Sequence, residues 1–363
     1  MSQTWAHVRA ATDGVTLRTV VGGTSLALRH ARMASRLGWS GVRYLVDDED
    51  ERVALATHMK RKPVPEGLQF EILSSSDAPD DGRAVQLVAS ALYLKETLAS
   101  GREPAPDFRI QSKADLAGAQ RFLFGQIRKS IVLDGVIAFY IMRPIARIFT
   151  RALLNTPVSP NQATLMALAC GIGAALCAAA GGVTNAMIAG GLYWFGGVID
   201  CIDGELARMR LQSSKIGEWL DSMVDEFSTI ALISGLGIGL SRDGAGDYWM
   251  YVGFAGAAVA VLALAPLYME LHRRKLAIDT AQFPWFFDDK SKADSPPTAV
   301  GKIINFVGYF VRRDANITII AICLLLNFRR VALGGLLAAF AIVAVLTMTH
   351  YALMATRPPT GDA

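Results

Sequence analysis

The sequence predicts an α-helical polytopic membrane protein, with six spanning helices and one interfacial amphipathic helix, preceded by an N-terminal soluble α/β domain. Of the 363 residues 52% are hydrophobic and mean hydropathy is +0.33, values high for a purely soluble chain. The apolarity is uneven: residues 1 to about 130 mix charged and apolar side chains, whereas 160–355 carries long apolar runs. A spanning helix needs roughly 20 mostly apolar residues, and six stretches fit: 160–181, 184–208, 217–240, 247–271, 314–329 and 331–355. The expected organisation is a cytoplasmic α/β domain over 1–112, a linker and amphipathic helix over 113–156, and a six-helix domain over 157–356.

In the first domain, TLRTVVGG (16–23), GVRYLVDD (41–48) and LQFEILSS (68–75) are rich in β-branched residues, and SLALRHARMASRLG (25–38) has helical apolar spacing. Strand and helix alternate, as in a small α/β domain. The pair Gly22–Gly23 closes a strand and reads as a turn in preference to a nucleotide loop. The first twenty residues lack the basic start, apolar core and small-residue cleavage site of a secretory signal, so this domain is expected in the cytoplasm.

The segment 134–156 interleaves apolar residues with Arg143, Arg147 and Arg151 at four-residue spacing. That pattern predicts an interfacial amphipathic helix whose arginines sit at headgroup level.

Loop charge orients the spans. Arg208, Arg210 and Lys215 follow the second, and Arg273, Arg274, Lys275, Lys290, Lys292, Lys302, Arg312 and Arg313 follow the fourth. The positive-inside rule places both loops in the cytoplasm. Arg329 and Arg330 then fall outside, against the rule. Residues 280–298 read as a loop and AVGKIINFVGYFVRR (299–313) as a surface-lying helix. SGLGIGL (234–240) offers small residues for helix packing, within the chain or across a dimer.

Composition excludes some functions. The four cysteines (Cys170, Cys177, Cys201, Cys323) lie in apolar segments without C-x-x-C spacing, as small buried hydrophobes do. Net charge is +4, with the basic residues beside the membrane segments. That suits anionic headgroups and phosphorylated substrates, and no nucleic-acid motif is present.

The chemistry concentrates in DCIDGELARMRLQSSKIGEWLDSMVD (200–225). Asp200, Asp203, Asp221 and Asp225 fall in predicted spanning helices, where each acid costs about 3 kcal/mol. Each pair is three or four residues apart, so it projects from one helical face, and the turn between brings the faces together. Such like charges are tolerated around a cation, and an all-oxygen set without His or Cys favours Mg²⁺ or Mn²⁺. Gly204 and Ala207 leave room beside Asp200, Gly217 does so on the next helix, and Arg208, Ser214 and Lys215 suit a diphosphate.

The string Asp200-x2-Asp203-Gly204-x2-Ala207-Arg208-x8-Gly217-x3-Asp221-x3-Asp225 resembles the signature of the CDP-alcohol phosphotransferases at eight fixed positions within 26 residues. SPNQATL (159–165) resembles the P-N-x-x-T element at that family's nucleotide pocket. The resemblance covers residues 134–355. It implies that Asp200, Asp203 and Asp221 hold metal, with Asp225 a further ligand or the base that deprotonates the acceptor. It also implies CDP contacts at Asn161, Thr164, Gly204, Ala207, Arg208, Ser214 and Gly217. Donor, acceptor and setting follow from it too: a CDP-inositol-like or CDP-diacylglycerol donor, and a polyol, polyol phosphate or lipid acceptor. It further implies a homodimer in the inner membrane with its active site facing the cytoplasm.

The order of domains, with KSIVLDGVIAFYIMRPIAR and FVRRDANITI, is similar to fused inositol-1-phosphate cytidylyltransferase and di-myo-inositol-phosphate-phosphate synthase proteins. The first domain departs from theirs: its start has no G-x-G-x-R loop, and Ser90 stands where a metal-binding Asp is expected. It is therefore read as a degenerate, non-catalytic relative. Two alternatives stay open, a bifunctional enzyme that also makes its CDP-alcohol and a non-catalytic membrane metal-binding protein. An ion path through intramembrane acids would not require the Gly, Ala and Arg spacings.

Overall fold

The computed structural model describes residues 4–10, 15–62, 64–79, 84–99, 103–128, 134–273 and 313–356. The chain divides into two compact units, one of Met1–Arg128, Arg151–Pro157 and Glu205–Gln212 and the other of Lys129–Thr150, Val158–Gly204 and Ser213–Ala363.

The first unit contains β1 (Trp5–Arg9), β2 (Val20–Val21), β3 (Thr24–Ser25), α1 (Leu26–Arg36), β4 (Gly41–Leu45), α2 (Glu49–Lys60) and β5 (Gln69–Leu73). After these come β6 (Val85–Val88), β7 (Ala91–Leu92), α3 (Lys95–Ala99), β8 (Phe108–Arg109) and α4 (Leu116–Gln126). Its main sheet is parallel throughout, in the order β5-β4-β1-β6. Parallel neighbours need crossovers, which α1 supplies between β1 and β4 and α2 between β4 and β5. Ala27, Ala31 and Ala34 give α1 a small-residue stripe that meets Ala6, Val8, Val42 and Tyr44 in the core. The Tyr44 hydroxyl donates to the Ala27 carbonyl at 2.7 Å.

GVRYLVDD and LQFEILSS contain strands as predicted, but TLRTVVGG does not supply a strand of this sheet. Within it Val20–Val21 alone is a strand, pairing antiparallel with Thr24–Ser25 across Gly22–Gly23. The strand that precedes α1 in the main sheet is Trp5–Arg9, hidden in the sequence because His7 and Arg9 interrupt its apolar pattern. His7 is nevertheless buried, with Arg43 on the neighbouring strand at 3.3 Å.

Among the described residues the later α-helices are α5 (Arg143–Leu153), α6 (Pro160–Ala180), α7 (Val183–Met209), α8 (Lys215–Leu240), α9 (Tyr248–Arg273), α10 (Arg313–Leu325) and α11 (Arg329–Thr356). A π-helical turn, Ala138–Met142, leads into α5. The ends of α5 and α7 run into the first unit. In the second, α8 lies between α6 and α9, while α11 packs on α9 and α10. Leu232, Ile233 and Leu236 of α8, Ala260 and Leu264 of α9, Ile320 of α10 and Leu336 of α11 share one core.

Among the described residues, four helical stretches are long and apolar enough to cross a membrane: Pro160–Ala180, Lys215–Ala245, Tyr248–Arg273 and Arg329–Leu353. Two of the six predicted spans are not among them. α7 has 27 residues but dilutes its apolar run with Thr184, Asn185 and its acids. α10 has 13 residues, a rise of about 20 Å.

Three features read from the sequence acquire specific partners in the fold. The glycines of 234–240 are consumed within the chain: a Cβ at Gly235 or Gly239 would overlap the carbonyl of Ala175 or Ala178 on α6, and one at Gly237 would lie 2.7 Å from Gly253 on α9. Arg143 is no headgroup anchor, being buried and paired with Asp134. Arg329 and Arg330 are engaged locally, Arg329 with Asp243 and Arg330 over the Trp249 ring at 5.7 Å. Pairing with an acid and an aromatic face gives both arginines local partners at the start of α11. The predicted loop and surface helix over 280–312 lie outside the described residues.

Candidate active site

The acids of the signature come from two consecutive helices. Asp200 and Asp203 lie on α7, Asp221 and Asp225 on α8. Ser214 begins α8 as its N-cap, its hydroxyl accepting from the Gly217 amide at 3.0 Å, so the helix starts immediately after the turn. One carboxylate oxygen each from Asp200, Asp221 and Asp225 lies within 4.8 Å of the other two.

Asp203 is placed differently. It is buried, and it accepts the Thr164 hydroxyl at 2.6 Å. Thr164 is delivered by the first turns of α6, where SPNQATL forms a complete helix start. Ser159 caps it and accepts from the Gln162 amide at 3.2 Å, the Gln162 side chain accepts in return from the Ser159 amide at 2.8 Å, and Pro160 takes the first turn. The Thr164 hydroxyl thus faces an aspartate. Asn161 is exposed on the same turn, and a Cβ added to Gly217 would lie 3.4 Å from its Oδ1 and 3.1 Å from Ser214 Oγ. Asn161, Ser214 and Gly217 therefore converge where α6 and α8 begin.

Gly204 is half-buried one residue beyond Asp203. Ala207 and Arg208 occupy the next turn of α7, within the first unit, where their carbonyls accept from the Gln212 amide at 2.7 Å and the Leu211 amide at 3.2 Å.

Arg313, read from the sequence as a loop cation, belongs to this site. From the first residue of α10 it donates to Asp200 Oδ2 at 3.1 Å and pairs with Asp225. Its signal in the sequence is an arginine directly before an apolar run, which also describes an inside-facing anchor. Glu226, beside Asp225, is a second residue the motif does not mark, and it accepts from the Tyr268 hydroxyl at 3.2 Å.

The donor set fits a hard divalent cation. Three carboxylates converge with no nitrogen or sulfur ligand in the cluster, and Asp221 Oδ1 is buried without a hydrogen-bond partner among the described residues. A guanidinium lies between two of the acids, so the site already attracts positive charge.

A helical membrane protein with an acid-lined site fed by two consecutive helices defines the class. Residues 157–349 match the family model described as CDP-alcohol phosphatidyltransferase. The chain belongs to this family, and with it to the transferases of substituted phosphate groups.

The chain is 34% identical over 145 residues to the bifunctional IPC transferase and DIPP synthase of Rubrobacter xylanophilus, covering 40% of this chain and 32% of that protein. Identity is 38% over 106 residues with the protein of the same name from Thermococcus kodakarensis, covering 28% of this chain and 23% of that one. It is 29% over 99 residues with the archaetidylinositol phosphate synthase of Pyrococcus horikoshii, covering 27% and 50%. The matches thus span half the length of these relatives or less. A solved Mycobacterium tuberculosis phosphatidylinositol phosphate synthase with CDP-DAG bound aligns with TM-score 0.42 and 16% identity, over 61% of this chain and 98% of that one.

Proposed function

We propose that this chain transfers a substituted phosphoryl group from a CDP-alcohol to an acceptor hydroxyl, releasing CMP. The observation that carries the reading is the convergence of Asp200, Asp221 and Asp225 from the two signature helices, with Arg313 between Asp200 and Asp225.

In this reading Asp200, Asp203, Asp221 and Asp225 would hold Mg²⁺ or Mn²⁺, which when bound neutralises charge on the diphosphate. Asn161, Ser214 and Gly217, gathered at the starts of α6 and α8, receive the cytidylyl end together with Gly204, Ala207 and Arg208 of α7. Thr164 holds the Asp203 carboxylate in orientation. Arg313 supplies fixed positive charge for phosphoryl oxygens. Asp225 accepts the proton of the acceptor hydroxyl. The acceptor oxygen bonds to the donor's β-phosphorus, the bond from that phosphorus to the bridging oxygen breaks, and CMP departs with the electron pair.

The relatives' names favour inositol-type chemistry, with a CDP-inositol-like or CDP-diacylglycerol donor and a polyol, polyol phosphate or lipid acceptor. All six apolar helices form the membrane domain, in the inner membrane with the site on the cytoplasmic side. A homodimer rests on family resemblance, and Gly235, Gly237 and Gly239 of the segment 234–240 already pack within the chain. The first unit is read as non-catalytic: Ser90 follows β6 where a metal-binding acid is expected.

The test is CMP release by purified full-length protein, with CDP-inositol and CDP-diacylglycerol offered against polyols and polyol phosphates. Release should stop with chelator, return with Mg²⁺ or Mn²⁺, and disappear in Asp225→Asn. No release with any donor overturns the reading. Diphosphate release from CTP and a polyol phosphate would instead favour the bifunctional alternative.

A further inference from the structure

Three buried arginines in the first unit make no use of the chemistry above. Arg29 and Arg32 lie on α1, and Arg210 follows the last turn of α7. Each is 7% exposed or less. Their guanidinium groups end on backbone carbonyls. Arg29 donates to Met209 O at 2.6 Å and to Val21 O at 3.1 Å. Arg32 donates to Arg210 O at 2.5 Å. Arg210 Nη2 is shared among the carbonyls of Leu153 (2.7 Å), Leu154 (2.9 Å) and Thr156 (2.9 Å).

Apart from Val21 O, these acceptors lie at or just beyond the C-terminal ends of two helices. α7 ends at Met209 and α5 at Leu153, and the last carbonyls of a helix lack partners within the helix and carry the negative end of its dipole. Burial and neighbouring like charges push Arg29 and Arg32 down to about 10, so both remain cationic at neutral pH. The Gly22–Gly23 turn fits the same contact. Both glycines have positive φ, of 60° and 74°. A Cβ at Gly23 would overlap the Leu154 carbonyl and lie 2.9 Å from Arg210 Nε. One at Gly22 would lie 2.9 Å from Arg29 Nη2 and 3.2 Å from Met209 Cε. The glycine pair is therefore a turn shaped to lie against the ends of α5 and α7.

We infer that Arg29 and Arg32, with the Gly22–Gly23 turn, form a clasp on the end of α7 that positions the donor-binding turn of the phosphotransfer site. This rests on the proposed function. It gives the first unit a role that needs no nucleotide chemistry of its own. Arg29 and Arg32 are positioning residues, because they grip Met209 and Arg210, one and two residues beyond Arg208. Asp200 lies about 13 Å further along the helix, at 1.5 Å rise per residue. Loosening the clasp should therefore disturb the CDP donor more than the carboxylates.

The experiment uses full-length protein in detergent: wild type, Arg29→Gln/Arg32→Gln, the milder single Arg32→Gln, the conservative Arg29→Lys/Arg32→Lys, and Arg18→Gln as control. Arg18 lies outside α1 and meets Glu51 at 3.5 Å on the surface. CMP release is resolved into kcat and the KM of each substrate, and amide hydrogen exchange is followed across the chain. The Gln pair should raise the donor KM about tenfold or more while leaving the acceptor KM within about twofold. Exchange should quicken about tenfold over 205–212 and stay unchanged over the sheet. Arg32→Gln should show a smaller change of the same kind, the Lys pair should recover part of it, and Arg18→Gln should match wild type. Unchanged exchange at 205–212 in the Gln pair overturns the inference, as does uniformly faster exchange over the whole first unit, which would mark ordinary unfolding. Exchange reads the clasp even if wild type releases no CMP, so failure of the phosphotransfer reading is distinguishable.

Discussion

Arg313 and Asp225 are 88 residues apart in sequence and form an ion pair, with Asp200 completing a bridge on the other side of the guanidinium. An arginine at the start of α10 thereby neutralises part of an acid cluster built by α7 and α8. Arg313→Gln should reduce CMP release by roughly 100-fold, the scale of removing one charge-stabilising donor. Arg313→Lys should recover only part, because a lysine ammonium lacks the planar fork that spans two carboxylates. Steady-state kinetics on monodisperse protein checks both, and wild-type activity in the Gln variant would remove Arg313 from the site.

Thr164 gives Asp203 a hydroxyl donor at 2.6 Å inside a buried site. Thr164→Val keeps the shape and removes the donor, which should cost about 1–3 kcal/mol at that carboxylate and lower activity about tenfold or more. Thr164→Ser should remain close to wild type. Equal activity in the Val and Ser variants would argue against the bond.

Gly235 lies against the Ala175 carbonyl, where α8 crosses α6. Gly235→Leu should destabilise the protein by about 1–3 kcal/mol, the usual cost of overpacking, and lower its melting temperature in detergent. Activity should fall with it, since α6 carries Thr164 and α8 carries Asp221 and Asp225. An unchanged melting temperature would mean the helices are free to separate there.

His30 is buried in the first unit, and burial pushes its imidazole down to about 4, with the Arg29 charge acting in the same direction. The unfolded chain binds a proton near pH 6.5, whereas the folded one stays neutral until about pH 4. Stability is therefore complete above about pH 6.5 and declines as pH falls through this window, by about 2 kcal/mol at pH 5. Thermal melts at about pH 7.5 and pH 5 should show the loss, and His30→Leu should show less of it. Identical pH slopes in the two proteins would exclude His30 as the cause.

The membrane helices and the acids are legible in the sequence because their signals are local. Long apolar runs mark α6, α8, α9 and α11, and aspartates within such runs are costly enough to stand out. The spacing within 200–225 assigns Asp200 to one helix and Asp221 and Asp225 to the next, and α7 and α8 carry them in that way. The first strand is not legible, because the burial of His7 depends on Arg43, a neighbour from another strand. α7 and α10 are legible as helices, yet by length and composition they fall short of the other four.

By itself the sequence determined the family and the acids, because the signature lies within 26 consecutive residues whose helical period fixes which side chains share a face. Tertiary structure alone decided what surrounds them. Arg313 reaches Asp200 and Asp225 across 113 and 88 residues, and Arg29 reaches Met209 across 180. A basic residue beside an apolar run has the same local pattern whether it anchors at headgroups, bridges two carboxylates or caps a helix end. Only the fold, by bringing a particular partner within hydrogen-bond distance, separates these roles.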